Sequence, residues 1–151
     1  MHTQTPDAPR SFLPALRVEE GRTIRGFLPR LFSFDYCRAE FNVYTYADRY
    51  LPDYDGAEWE FVALPNTHGG GFMMPSGDEW EFYNPDNRCK LTVSAGAAGI
   101  IITALVLNHR SWMYDRNDEP DLCKHYILRH RQLMEYALEH PESNAIFRAF
   151  D

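Results

Sequence analysis

The segment Ser94 to Trp112, SAGAAGIIITALVLNHRSW, is the most apolar uninterrupted stretch of the chain, and it limits what the rest can be. From Ile100 to Leu107 apolar residues fall on every side of a helix, and a helix apolar all round has to be enclosed by other elements. Ser94 is placed to cap its start. The small residues Ala95 to Gly99 weaken helix propensity, by roughly 1 kcal/mol for an interior Gly relative to Ala, but they let another backbone approach closely. The β-branched run Ile100 to Thr103 also suits a buried strand, which periodicity alone does not separate from a helix. Length favours the helix, with Trp112 extending a stripe through Ile101, Leu105 and Asn108. The run from Ala95 stops at Leu107, short of the roughly 18–20 residues a bilayer requires, and Asn108, His109 and Arg110 follow at once. The segment reads as core rather than as a membrane span.

A chain of 151 residues is long enough to enclose such a rod in one domain. Its 44% hydrophobic and 15% aromatic content opposes disorder. The net charge of −7 opposes non-specific nucleic-acid binding and falls well short of the carboxylate density of a DNA-mimicking surface. Cys37, Cys89 and Cys123 are odd in number and widely spaced, which fits reduced thiols, and no CxxC pair exists to hold zinc. The start, MHTQTPDAPR, lacks the basic-then-apolar layout of a secretory signal, so the expected location is the cytoplasm. Residues 1–24 read as a loose arm and 25–151 as a single domain.

Within that domain, Phe27-Leu28-Pro29-Arg30-Leu31-Phe32 is expected to cap one end of the core. Ser33 or Asp35 offers an N-cap for a helix running to about Leu51, with Phe34, Cys37, Phe41, Tyr44 and Ala47 as its apolar face and Pro52 as its stop. Glu58 to Leu64, Gly71 to Met74, Glu79 to Tyr83 and Cys89 to Val93 predict a small antiparallel meander of three to four strands. The phrases Gly56-Ala57-Glu58-Trp59-Glu60-Phe61 and Gly77-Asp78-Glu79-Trp80-Glu81-Phe82 echo one another. Alternation of aromatic and acidic residues across a half-buried strand accounts for that. After Pro120, Leu122, Tyr126, Leu133 and Ala137, with neighbouring Ile127, Met134 and Leu138, trace an apolar stripe. Pro141 begins a last helix buried through Ala145, Ile146, Ala149 and Phe150. The order predicts an α+β fold: a small sheet packed with a central buried helix and flanking helices.

Few constellations invite chemistry. His68-Gly69-Gly70-Gly71 matches an oxyanion loop, but the G-x-S-x-G elbow and large sheet that such a loop serves are missing, so a hairpin turn is the better reading. Ser94 to Gly99 could cradle an anion at a helix start, yet its spacing fits neither a dinucleotide fingerprint nor a P-loop. A small hydrolase using Ser94 or His68 is therefore a minor alternative. His125 and His130 stand five apart and do not share a helix face, so no metal site is expected. Lys124, His125, Arg129, His130 and Arg131 form a basic segment that reads as a solvated face, with a DNA-binding module as the alternative. Asp48, Asp53, Asp55, Glu58 and Glu60 form an acidic counterpart.

Several separate phrases nonetheless agree with one family. Phe27-Leu28-Pro29-Arg30, Tyr54-Asp55-Gly56 with Trp59-Glu60-Phe61, and Gly70-Gly71-Phe72 with Met74-Pro75 come first. Ser94-Ala95 with Ala97-Ala98-Gly99-Ile100, Leu107-Asn108-His109, Tyr136-Ala137, and His140-Pro141-Glu142 through Ile146-Phe147-Arg148-Ala149 to Asp151 follow in order. By these the chain resembles the ArdB/KlcA antirestriction proteins of plasmids and other mobile elements. It departs from them in a longer Leu64 to His68 segment and in Gly96, where an acidic residue is expected. The resemblance implies a compact α+β fold and no catalytic residues; no cofactor and no membrane partner are expected. It also implies relief of type I restriction-modification, direct or indirect, by a route other than DNA mimicry. Within the matching phrases, Asp53, Asp55, Gly70, Gly71 and Asn108 are the residues expected to touch the partner, since core packing explains them less readily than the aromatics beside them.

Overall fold

In the computed structural model Ser94 ends strand β5, Cys89–Ser94, and caps helix α3, Ala95–Arg116, its hydroxyl oxygen accepting the Ala97 N–H at 3.1 Å. The structure describes residues 14–18 and 22–151. The expected rod is present and runs on past Trp112. Ala97, Ile100, Ile101, Ile102, Val106 and Leu107 are all inaccessible to solvent. Its outer end breaks the expected stripe: Asn108 and Trp112 are exposed, Trp112 at 57%, while Arg110 and Ser111 are buried.

Two sheets surround the start of this helix. Strand β1, Leu16–Val18, pairs antiparallel with β2, Trp59–Ala63, which pairs antiparallel with β3, Gly71–Pro75. Strand β4, Glu79–Asn84, pairs with β5 alone among the described residues. The four expected strands thus exist but divide between two sheets instead of forming one meander. The outer edge of β3 meets α3, not β4. The Met73 N–H donates to Thr103 Oγ1 at 3.1 Å, so a helix hydroxyl stands where a strand carbonyl otherwise would. Gly99 makes that approach possible, since a Cβ there would lie 2.4 Å from the Met73 carbonyl oxygen and 2.8 Å from the Met74 Cα.

The phrase around Pro29 is the last part of a helix: α1 spans Arg22–Phe32 and buries Phe27, Leu28, Leu31 and Phe32. The expected arm boundary at residue 24 falls inside α1, and β1 precedes it; residues 1–13 and 19–21 lie outside the described residues. After a 3-10 turn at Ser33–Asp35, helix α2, Tyr36–Tyr50, follows as expected but rotated. It buries Ala39, Val43, Ala47 and Tyr50, whereas Phe34 is 77% and Phe41 67% exposed and Cys37 is on the surface. Small residues on the buried face bring α2 close to α3, which bulkier Phe34 and Phe41 would prevent.

Helix α4, Pro120–Leu138, buries Leu122, Tyr126, Leu133 and Ala137 as the stripe predicts, with Ile127 and Leu138 left exposed beside it. It makes the most extensive packing with α3. Helix α5, Ser143–Phe150, closes the structure on Ile146 and Ala149. The fold is α+β, and no helix among the described residues is long and apolar enough to cross a membrane.

Candidate functional site

The last carbonyls of a helix have no partner within it. In α1 they are taken up by α4: Arg30 O accepts from Arg129 Nε at 3.0 Å, Leu31 O lies 2.9 Å from His125 Nε2, and Phe32 O accepts from the Tyr126 hydroxyl at 2.7 Å. A carbonyl only accepts, so His125 carries its proton on Nε2. Burial lowers the His125 pKa, with the Leu31 carbonyl opposing, and lowers that of Arg129. Arg129 also donates through Nη2 to His68 O at 3.0 Å, which ties the glycine loop to the same clamp. The basic segment Lys124 to Arg131 is thus not a solvated cationic face. Arg129 is 7% exposed and His125 is engaged, which leaves Lys124 and Arg131 as its exposed cations.

A second polar cluster sits under the outer half of α3. Arg110, 4% exposed, forms a salt bridge with Asp35, donates through Nη1 to Asn42 Oδ1 at 2.6 Å and through Nη2 to the Tyr114 hydroxyl at 2.9 Å, and lies over the Tyr114 and Tyr126 rings. Asp35 was an expected cap, yet it makes no cap hydrogen bond to α2. Its carboxylate serves Arg110 and the Tyr126 hydroxyl, the latter at 3.2 Å. Burial first, and the Asp35 charge second, raise the Tyr126 pKa and keep the phenol neutral. This arrangement locks α1, α2, α3 and α4 together. Among the described residues no buried side-chain nitrogen or oxygen lacks a partner.

The two hydrolase candidates do not meet. Ser94 donates its hydroxyl to Glu142, which also accepts the Ser94 N–H at 3.0 Å, so the carboxylate pins the start of α3 to the start of α5. His68 is in the β2–β3 turn beside a cavity of about 410 Å³, whereas Ser94 lines a different one. Among the described residues no group of three or more His, Cys, Asp or Glu side chains is placed to hold a metal ion.

The expected partner residues are scattered. Asp53 and Asp55 are exposed in the turn after α2, next to the Trp59 end of β2; Gly70 and Gly71 are buried at its Ala63 end. A Cβ at Gly71 would lie 2.5 Å from the Val62 carbonyl oxygen, a backbone atom, which accounts for glycine there; at Gly70 it would meet the side chains of Gln132 and Thr67 at 2.7 and 2.8 Å. Asn108 lies elsewhere, on a groove of about 550 Å³ with Tyr46, His109 and Trp112. One surface trough went unnoticed in the sequence: about 560 Å³, lined by Glu40, Tyr44, Tyr54, Glu58, Trp59 and Phe61. The acidic run at Asp53 to Glu60 was its only linear sign, because Glu40 and Tyr44 join from α2.

The chain belongs to the antirestriction protein family, whose model matches residues 52–151. It is 44% identical over 136 residues to the putative antirestriction protein YubI of Escherichia coli K12, covering 90% of this chain and 94% of that one. It is 34% identical over 141 residues to the antirestriction protein KlcA of Escherichia coli, covering 91% and 92%. Its fold matches over the full length of both chains, with a TM-score of 0.75 at 30% identity, a structure described as showing a novel fold for the KlcA and ArdB proteins. Those proteins are reported with antirestriction activity against Type I DNA restriction systems in vivo but not in vitro.

Proposed function

We propose that this protein relieves type I restriction in the cell by contact with a protein of that system or of its host, without catalysing a reaction and without imitating DNA. The observation that carries the reading is the full-length match to a fold whose members have that activity. The engagement of the polar groups supports the non-catalytic part: Ser94 is a helix cap, and Arg110 and Arg129 hold helices together. The charge supports the rest, since 15 Lys and Arg offset all but seven of the 22 Asp and Glu, and a net charge of −7 is modest for a DNA-mimicking surface.

The expected residues Asp53, Asp55 and Asn108 remain candidates for partner contact, being polar and exposed; Gly70 and Gly71 act by shaping the hairpin. The test is the plating of unmodified phage on cells carrying a type I system, with and without expression of this protein. Plating is expected to recover with expression. Unchanged plating across several type I systems would remove the reading.

A further inference from the structure

The trough between α2 and β2 has a chemistry of its own. Tyr44 and Trp59 stand with ring centroids 5.9 Å apart, and Tyr54 and Trp59 6.0 Å apart, both pairs tilted, and all three rings line one shallow space. The rings are held in place: the Trp59 indole N–H donates to the Tyr54 hydroxyl at 3.2 Å, and the Tyr44 hydroxyl donates to Glu40 Oε2 at 2.6 Å. Burial, then the Glu40 hydrogen bond, raises the Tyr44 pKa and keeps that phenol a donor. The charged side chains lining the trough, Glu40 and Glu58, are both acidic, and exposed Asp53 and Asp55 flank Tyr54 in the chain. Along α2 the exposed Cys37 and Phe41 share the helix face of Tyr44 by their spacing and extend the apolar surface beyond the carboxylates.

Aromatic faces under a rim of carboxylates complement a cation whose body is weakly hydrated. A simple ammonium held by charge alone needs no rings, and an apolar anchor needs no carboxylates. A guanidinium uses both, stacking its plane on an aromatic face while its N–H groups reach a carboxylate. We propose that this trough seats an arginine side chain from a basic segment of a partner protein, with Tyr44, Tyr54 and Trp59 as the stacking surface and Glu40 and Glu58 as the acceptors. The inference rests on the reading that this protein acts through protein contact, and it names the chemistry of that contact.

The experiment titrates the intact protein with a hexa-arginine peptide and follows the indole N–H resonances of Trp59, Trp80 and Trp112, assigned by single Trp→Phe variants. The Trp59 signal is expected to shift and saturate, while the Trp112 signal stays still. Binding should weaken as salt rises. A Glu40→Gln, Glu58→Gln double variant should lose about threefold to tenfold or more in affinity. Glu58→Gln alone, at an exposed loop position, should show part of that loss with the fold untouched. A Trp59 signal that does not move, a shift centred on Trp112, equal binding by the double variant, or tetramethylammonium binding as tightly as the peptide would each overturn the proposal. Phage plating separates the two readings. Relief of restriction without arginine binding removes the trough alone, and absence of relief removes the functional reading beneath it.

Discussion

Arg129 in α4 donates its Nε–H to the carbonyl oxygen of Arg30 at the end of α1, 3.0 Å away, and its Nη2–H to the carbonyl of His68 in the glycine loop, also at 3.0 Å. One buried side chain therefore serves as the C-cap of one helix and the anchor of one hairpin. Replacing Arg129 by Met keeps the stem volume but orphans both carbonyls. The expected loss is about 2–6 kcal/mol, taking about 1–3 kcal/mol for each of the two groups left unpaired. Arg129→Lys should lose less than Met but more than nothing, since a point charge reaches one carbonyl and not two. Urea unfolding curves of the three proteins decide this.

Breaking the Arg110–Asp35 pair should cost more than deleting it. Arg110→Met leaves the Asp35 carboxylate without its cation, and about 3–5 kcal/mol is expected, as for a buried pair that loses one partner. The double variant Arg110→Met, Asp35→Leu removes both charges and should recover part of that loss. A double-mutant cycle by thermal or denaturant unfolding measures the coupling; additive losses would refute it.

The glycines of α3 should divide sharply. At Gly99 an added methyl would sit 2.4 Å from the Met73 carbonyl oxygen, a backbone atom that cannot swing aside. Gly99→Ala should therefore destabilise by about 1–3 kcal/mol as the helix and strand β3 are forced apart. At Gly96 the nearest atom is Ser94 Oγ at 3.8 Å, so Gly96→Ala should be neutral or stabilising by up to about 1 kcal/mol. Melting temperatures of the two single variants check both at once: Gly99→Ala should melt below the parent, and Gly96→Ala at or above it.

Acid should weaken the fold before the carboxylates titrate. Burial lowers the pKa of His125, His130 and His140 from the ordinary 6.5. Between each folded value and 6.5 the unfolded chain binds more protons than the folded one, so stability is fully present above about pH 6.5 and falls as pH drops below it. Melting temperature measured from about pH 7.5 to 5.5 should decline, and His130→Gln should flatten the decline. A profile equally steep in that variant would assign the loss to other groups.

Ser94 offers a functional contrast. If its hydroxyl is a cap and an anchor for Glu142, Ser94→Ala should cost about 1 kcal/mol or somewhat more in stability while leaving relief of restriction intact at a permissive temperature. Loss of relief with unchanged stability would instead point to chemistry at that hydroxyl.

The sequence made β2 to β5 legible to within a residue, because each is a short aromatic or β-branched run closed by Gly, Asn or Pro, but it left β1 inside the expected arm, since Leu16–Val18 is too short to show an alternation. It also identified Ser94 as a cap, since capping is a relation between residues three apart. It misread the face of α2: the bulkier Phe34 and Phe41 lie outward, and the small Ala39 and Ala47 lie inward. It read Lys124 to Arg131 as a solvated face, because nothing in a linear run shows that carbonyls from another helix end there. The trough was invisible for the same reason, as its acids and rings come from two elements.

What the linear chain determined by itself was the enclosed rod, since side chains apolar on every side exclude water whatever the neighbours are. Which elements enclose it was decided only in three dimensions. Gly99 lets β3 approach, Thr103 takes the edge that a fourth strand would need, and Asp35 leaves its helix to meet Arg110. Burial follows from composition, but the partner of each polar group depends on which backbone arrives beside it, and that is a property of the packed chain.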